Sequence, residues 1–371
     1  MSEEELSIAV WLPLGSSELN ILQKMLHDSG VVIPGNYAGE NPYVLLNYLA
    51  AGMTEDGEFR ALFDRNLISP LVLLASGAPV PKSKQAESNA RLASACACFC
   101  ILAKILIEPN IAIYEYASAS GNLAAQSDAQ LFRIADNSDA MAYLDIALGR
   151  ADRLPQDLLR QVRELQESAD NTIPESNFDR LLRLWKPHYL YALKVVALRR
   201  LGLSPFQVAN SLICWQADET LFNAVGSMYC LAAIAHTPPK GGMLKSLMSE
   251  NVNALKAGVK NATWDMYLLQ QFGKLVRQPS GPRWSLWSTD VALREVAKSL
   301  FVRDDESDTD KLKTFFERHW GLKDGRRLHS IYEEATSRAV IDPEAREARI
   351  AKVVSSIDEH ILELETQLGI V

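Results

Sequence analysis

The sequence predicts an α/β fold that is richer in helix than in strand. Two short segments read as strands: Glu58–Asp64, with a partly alternating apolar pattern, and Arg283–Thr289, which carries Trp284, Leu286 and Trp287. Each ends at an aspartate, Asp64 or Asp290, and runs straight into a helical pattern. Nearly everything between and after them repeats at helical spacing. A chain of 371 residues is long enough for two or three domains.

Composition narrows the class. Hydrophobic residues make up 48% and charged residues 23%, which suits a globular chain and excludes wholesale disorder. The net charge of −8 argues against a generally basic nucleic-acid coat and leaves a local basic groove open. Five cysteines, an odd number, do not suggest a disulfide scaffold. The start, Met-Ser-Glu-Glu-Glu, is acidic where a secretory signal is basic. A reducing, cytoplasmic setting is the expectation. Leu92–Ile107 is almost wholly apolar, but Ser94 and Lys104 interrupt it and it is shorter than the ~20 residues of a bilayer span. It reads as a buried core helix, with no membrane partner expected. Cys96, Cys98 and Cys100 stand at every second position. On a helix, successive members point ~200° apart, so they cannot close around one zinc ion and read as small buried hydrophobes.

The elements follow in order. Ile8–Leu14 is a short apolar run ended by Pro13 and Gly15. Ser16 or Ser17 is then placed to cap a helix carrying Leu19, Leu22, Met25 and Leu26. Asn36–Pro42 is turn-rich, and Pro42–Ala51 is a second short helix. Asp56-Gly57 turns the chain into the first strand. The helix Asn66–Ser76 keeps Pro70 in its first turn. Gly77–Lys84 is a loop, and Glu87–Ile107 is the apolar helix. Glu108-Pro109-Asn110 breaks it, and Ile111–Ala119 starts a new element. From about Gln126 to Glu250, helical stretches dominate: Ala140–Gly149, Gln156–Ser168, Asn177–Leu201, Pro205–Ala217 and Glu219–Ala235. Thr237–Gly242, TPPKGG, is a strong break. Met243–Val276 reads as one or two helices. The second strand and the helix Val291–Val302 follow, then an acidic turn at Asp304–Asp310. Helices at Lys311–Trp320, Leu328–Val340 and Pro343–Leu368 close the chain.

Four acids draw attention. Ligands of open α/β sheets sit outside the carboxyl ends of parallel strands, where Asp64 and Asp290 fall. An aspartate there also serves as a helix N-cap. Glu115 lies in the apolar stretch NIAIYEYAS, and Asp265 in NATWDMYLL. An acid on an apolar face takes a cationic partner, stays exposed, or binds a metal. Four carboxylates without clustered His or Cys suit a hard cation such as Mg²⁺ or Mn²⁺. Such an ion offsets their repulsion and can lower the pKa of a bound water. Asp136, Asp139 and Asp145 are rivals, and Asp145, among Tyr143, Leu144, Ile146 and Leu148, is the strongest. The six histidines are dispersed. No nucleophile elbow or phosphate-cradling loop is present. Arg199-Arg200 and Lys323, Arg326 and Arg327 are small basic clusters, read as solvated faces or phosphate contacts. Trp284 and Trp287 suit either core packing or base stacking.

The order of these residues carries a resemblance. Asp64-Arg65-Asn66 closes the first strand, Glu115 follows Pro109-Asn110-Ile111-Ala112, Asp265 ends Asn261-Ala262-Thr263-Trp264-Asp265, and Ser288-Thr289-Asp290 closes the second strand. In this the chain resembles the PIN-domain ribonucleases, the fold of many bacterial toxin nucleases. The resemblance spans roughly residues 56–120 and 250–302, under a third of the chain. It implies a PIN-like parallel sheet core in 1–125 and 251–302, a large helical insertion in 126–250 and a helical C-terminal tail in 303–371. It also implies a metal-dependent ribonuclease acting on single-stranded RNA. Asp64, Glu115, Asp265 and Asp290 would hold Mg²⁺ or Mn²⁺, with Asn66 and Thr289 in support. A regulatory protein partner follows by analogy with toxin and phage-defence effectors. The chain departs from the compact PIN pattern in the long helical stretch between the second and third acids. The rival reading is a non-catalytic helical interaction protein with a PIN-like core, its acids serving as caps and salt-bridge partners.

Overall fold

Four strands form one mixed sheet in the order β1-β4-β2-β3. They are β1 (Val32–Pro34), β2 (Phe59–Phe63), β3 (Leu106–Glu108) and β4 (Arg283–Trp287). β2 runs parallel to both its neighbours, and β1 is antiparallel to β4. Phe63 pairs with Trp287, and Leu62 lies between Leu286 and Glu108. The two strands expected from the sequence are therefore parallel neighbours. This computed structural model describes residues 12–35, 41–52, 58–169, 177–244, 246–278, 280–301, 308–339 and 343–371. Most of the apolar run at 8–14, of the turn at 36–42 and of the acidic turn at 304–310 lies outside the described residues.

The chain forms two compact units. The first comprises residues 1–180 and 275–289. Its helices are α1 (Ser16–Ser29), α2 (Leu45–Ala51), α3 (Arg65–Ala75), α4 (Lys84–Ala103), α5 (Asn110–Ser120), α6 (Asn122–Asp136), α7 (Ala140–Ala147) and α8 (Gln156–Ala169). One sheet face carries Phe59, Ala61, Phe63 and Trp287 into a core shared with these helices. Trp287 stacks on Phe63 at 5.5 Å and meets Phe99 of α4 at 5.9 Å. Tyr48 of α2 meets Phe59 and Phe99 edge-on. Burying each such ring contributes about 1.5–3 kcal/mol. Cys96, Cys98 and Cys100 are buried and free, as their spacing led us to expect. Burial pushes the Cys98 thiol up to about 12, so it stays protonated. The helices α6 and α7, which the sequence assigns to the insertion, pack on α3 and α4.

Several expected boundaries move. The helix expected over Glu87–Ile107 ends at Ala103. Lys104 takes a left-handed conformation (φ 56°), and Ile105 N–H donates to Cys100 O at 2.8 Å. The remaining apolar residues become β3, because an unbroken apolar run does not distinguish buried helix from buried strand. Gly15, rather than Ser16 or Ser17, caps α1, and its N–H donates to the Glu18 carboxylate at 3.3 Å.

The second unit comprises residues 181–274 and 290–371 and is helical. Its helices are α9 (Trp185–Arg200), α10 (Pro205–Glu219), α11 (Ala224–Ala233), α12 (Val252–Val276), α13 (Val291–Phe301), α14 (Asp308–Ala339) and α15 (Pro343–Leu368). The helix α9 starts eight residues later than expected, and Asn223 rather than Glu219 opens α11. Ser204 and Gln207 form a capping box on α10. Helix α9 packs on α10, α11 and α15, and Lys186 meets Asp358 of α15 at 2.6 Å. Gly321 (φ 76°, ψ 165°) breaks α14 into two helical segments, so the two helices expected there are both present. Among the described residues, no helix is long and apolar enough to cross a membrane.

Candidate functional site

The first unit has a topological switch at β2. The chain leaves β2 for β3 on one side, while β4 pairs on the other. Ligand crevices form outside the carboxyl ends of such strands. Asp64 follows the last residue of β2, and its N–H extends the ladder to Trp287 O at 2.9 Å. It occupies the N-cap position of α3 with no side-chain capping bond. Its carboxylate instead accepts the Ser288 hydroxyl at 2.6 Å and the Asn66 amide at 3.0 Å. Asp64 and Ser288 are both buried.

Glu115 reaches the same place from the second turn of α5, which follows β3. Arg65 Nη1 donates to its Oε1 at 3.3 Å. Burial, and then the charge of Asp64, push the Glu115 carboxyl up to about 7, against the pull of Arg65. Arg65 also lies over the Tyr116 ring at 5.4 Å. Asp128 of α6 joins this group: burial raises its proton affinity and Arg65 lowers it. Sequence reasoning missed Asp128, although Ala125, Asp128, Phe132 and Ala135 share one helical face, which is where a buried acid shows itself. It also missed Ser288, which makes the contact to Asp64 that was expected of its neighbour Thr289.

In the second unit, Asp265 accepts the Tyr229 hydroxyl at 2.7 Å and the Asn261 amide at 3.4 Å. Tyr229 is buried, and Asp265 and Asp290 both help hold its proton. Asp290 caps α13, accepting the N–H groups of Ala292 (2.8 Å) and Leu293 (3.0 Å). The structure thus pairs Asp64 with Glu115 in the first unit, and Asp265 with Asp290 around Tyr229 in the second. Among the described residues, no three His, Cys, Asp or Glu side chains are placed to hold a metal ion.

Two of the three rival acids have structural partners. Asp139 caps α7 through Met141 and Ala142. Asp145 is half exposed and faces Arg150 at 3.5 Å, so its helix turns it outward. Burial lifts the Asp136 carboxyl to about 6. Trp287 and Trp284 are core residues, and Arg60 lies over the Trp284 ring. In the basic clusters, Arg326 is bound to Glu317, and Arg327 lies 3.8 Å from Asp324.

Compared with known proteins, the chain matches no family model, no curated protein and no solved structure.

Proposed function

We propose that the chain is a PIN-like, metal-dependent ribonuclease whose catalytic carboxylates in the first unit are Asp64 and Glu115. One observation carries this reading. Asp64 sits where a helix cap belongs but makes no side-chain bond to the helix N–H groups; its carboxylate accepts the Ser288 hydroxyl and the Asn66 side-chain amide at the carboxyl end of β2. The donor set is all hard oxygen, which suits Mg²⁺ or Mn²⁺. Asp64 and Glu115 would hold the ion, which would supply positive charge and a water of lowered pKa. The chain's own residues do the rest. Ser288 and Asn66 fix the orientation of Asp64. Burial and the charge of Asp64 raise the proton affinity of Glu115, a cost that a bound cation would offset. Arg65 stands beside it as a positive group for phosphate oxygens. The preference for single-stranded RNA comes from the PIN resemblance. Asp265 and Asp290 enter as a second carboxylate pair, to be tested by the same substitutions.

A second reading has its own support. Arg65 already neutralises Glu115, and Asp290 already caps α13, as in a non-catalytic interaction protein. Cleavage of single-stranded RNA with Mn²⁺, Mg²⁺ or EDTA separates the two. The nuclease reading expects metal-dependent cleavage that falls at least about 100-fold in Asp64→Asn and Glu115→Gln with folding retained. Wild-type protein inert with every divalent ion supports the interaction protein. Activity that survives both substitutions, in protein free of contaminating ribonuclease, sinks the nuclease site.

A further inference from the structure

Arg65 puts a positive charge at the positive end of a helix. It is the first residue of α3, and no acidic residue lies in that first turn. The amino end of a helix carries partial positive charge, so a cation there is unfavourable unless other groups hold it. Two carboxylates do so. Glu115 of α5 accepts Arg65 Nη1 at 3.3 Å. Asp128 of α6 feels the same guanidinium, which opposes the effect of burial on its proton affinity. The Tyr116 ring lies under the guanidinium at 5.4 Å.

The ion pair is neither sealed nor bare. Side-chain exposure is 34% for Arg65 and 17% for Glu115, so solvent reaches the pair and screens it less than an open surface pair. Glu115 also feels the negative charge of Asp64. Two cations therefore compete for one carboxylate: the guanidinium bonded to it, and the divalent ion of the nuclease reading. Arginine does not deprotonate, so it yields the carboxylate only by moving.

We propose that Arg65 is a built-in competitor of the metal ion, an autoinhibitory latch that occupies Glu115 until a divalent cation displaces it. Asp128 is at hand for the displaced guanidinium, whose charge is then not left without a partner. The inference rests on the nuclease reading of Asp64 and Glu115 and adds how that site is held closed.

The test follows Mn²⁺ binding by the full-length protein through the electron paramagnetic resonance signal of the free ion, alongside cleavage of single-stranded RNA. Arg65→Gln should bind Mn²⁺ at least about 3-fold more tightly than wild type, the worth of one partly buried ion pair. Arg65→Lys keeps the charge and should fall between the two. The gain should vanish when Glu115→Gln is combined with Arg65→Gln. Equal or weaker binding by Arg65→Gln, where the wild type binds Mn²⁺ and cleaves RNA, would overturn the latch and leave the nuclease reading standing. No Mn²⁺ bound by either protein would overturn both. If Arg65→Gln does not fold, the Arg65 guanidinium protons of the wild type are followed by NMR during a Mg²⁺ titration. The latch expects the Nη group to rotate freely once the ion is bound, and an Nη group still held in the metal-bound protein overturns it.

Discussion

Asp64 and Asp290 hold the same backbone position, one residue ahead of a helix, yet their carboxylates have different jobs. Asp290 bonds two helix N–H groups and Asp64 is turned to Ser288. Asn caps about as well as Asp, so Asp290→Asn should leave the melting temperature nearly unchanged, while Asp290→Ala should lose about 0.5–2 kcal/mol. Asp64→Ala removes the 2.6 Å bond from the buried Ser288 hydroxyl and should cost about 1–3 kcal/mol in urea unfolding. Two residues contribute to the pH dependence in opposite directions. Glu115 titrates near 7 in the fold against an ordinary 4.5. The folded state binds that proton more tightly, so the contribution is complete below about 4.5 and is lost as pH rises through 7. Glu115→Gln should flatten stability over that window. His188 titrates near 3 in the fold against an ordinary 6.5, because burial disfavours its charged form. Its contribution is complete above about 6.5 and falls by about 1.4 kcal/mol per pH unit on the way down toward 3. Unfolding curves from pH 4 to 8 on His188→Gln should lose this acid limb. A limb that persists would assign the acid sensitivity elsewhere.

At the scale of elements, the sequence made β2 and β4 visible because each had five residues of pattern and a turn or aspartate at its ends. The strands β1 and β3 were hidden because three residues carry no period. The break at Lys104 was hidden too, since a left-handed lysine is signalled by neither Gly nor Pro. In the site, the strand-end aspartates were legible from position. Asp128, Ser288 and Tyr229 were not, because their roles depend on which helix or strand lies opposite. Close packing between elements makes its own predictions. A Cβ on Gly273 of α12 would stand 2.4 Å from the Phe301 ring of α13. Gly273→Ala must displace that ring and should cost about 1–3 kcal/mol. A Cβ on Gly325 would stand 2.6 Å from the Phe316 carbonyl oxygen, so the bare glycine lets the second segment of α14 fold back against the first. Gly325→Ala has no flexible side chain to push aside. Its loss of thermal stability should therefore exceed that of Gly273→Ala, and equal losses would argue against a fixed fold-back.

At the scale of the whole molecule, both units are discontinuous in sequence. Helical periodicity shows which face of a helix is apolar but not which layer receives it. For this reason α6–α8 gave no sign of belonging with the sheet. The strand β4 completes the first unit from far along the chain, and Trp287 fills the space between Phe63 and Phe99. Residues 1–180 produced alone should therefore expose the β4 edge of β2 and aggregate. A peptide covering 275–289 added in trans should dock there, with a blue shift of its tryptophan fluorescence. A soluble, monodisperse 1–180 that ignores the peptide would show that the unit does not depend on β4.

That late strand also sets a timetable. About 220 residues separate Phe63 from Arg283. A ribosome adding about 5–20 residues per second delivers the second roughly 10–45 s after the first. During that interval Asp64 has emerged without Ser288 to hold it. For the nuclease proposed above, the growing chain would stay unarmed beside the very message being read until β4 has emerged.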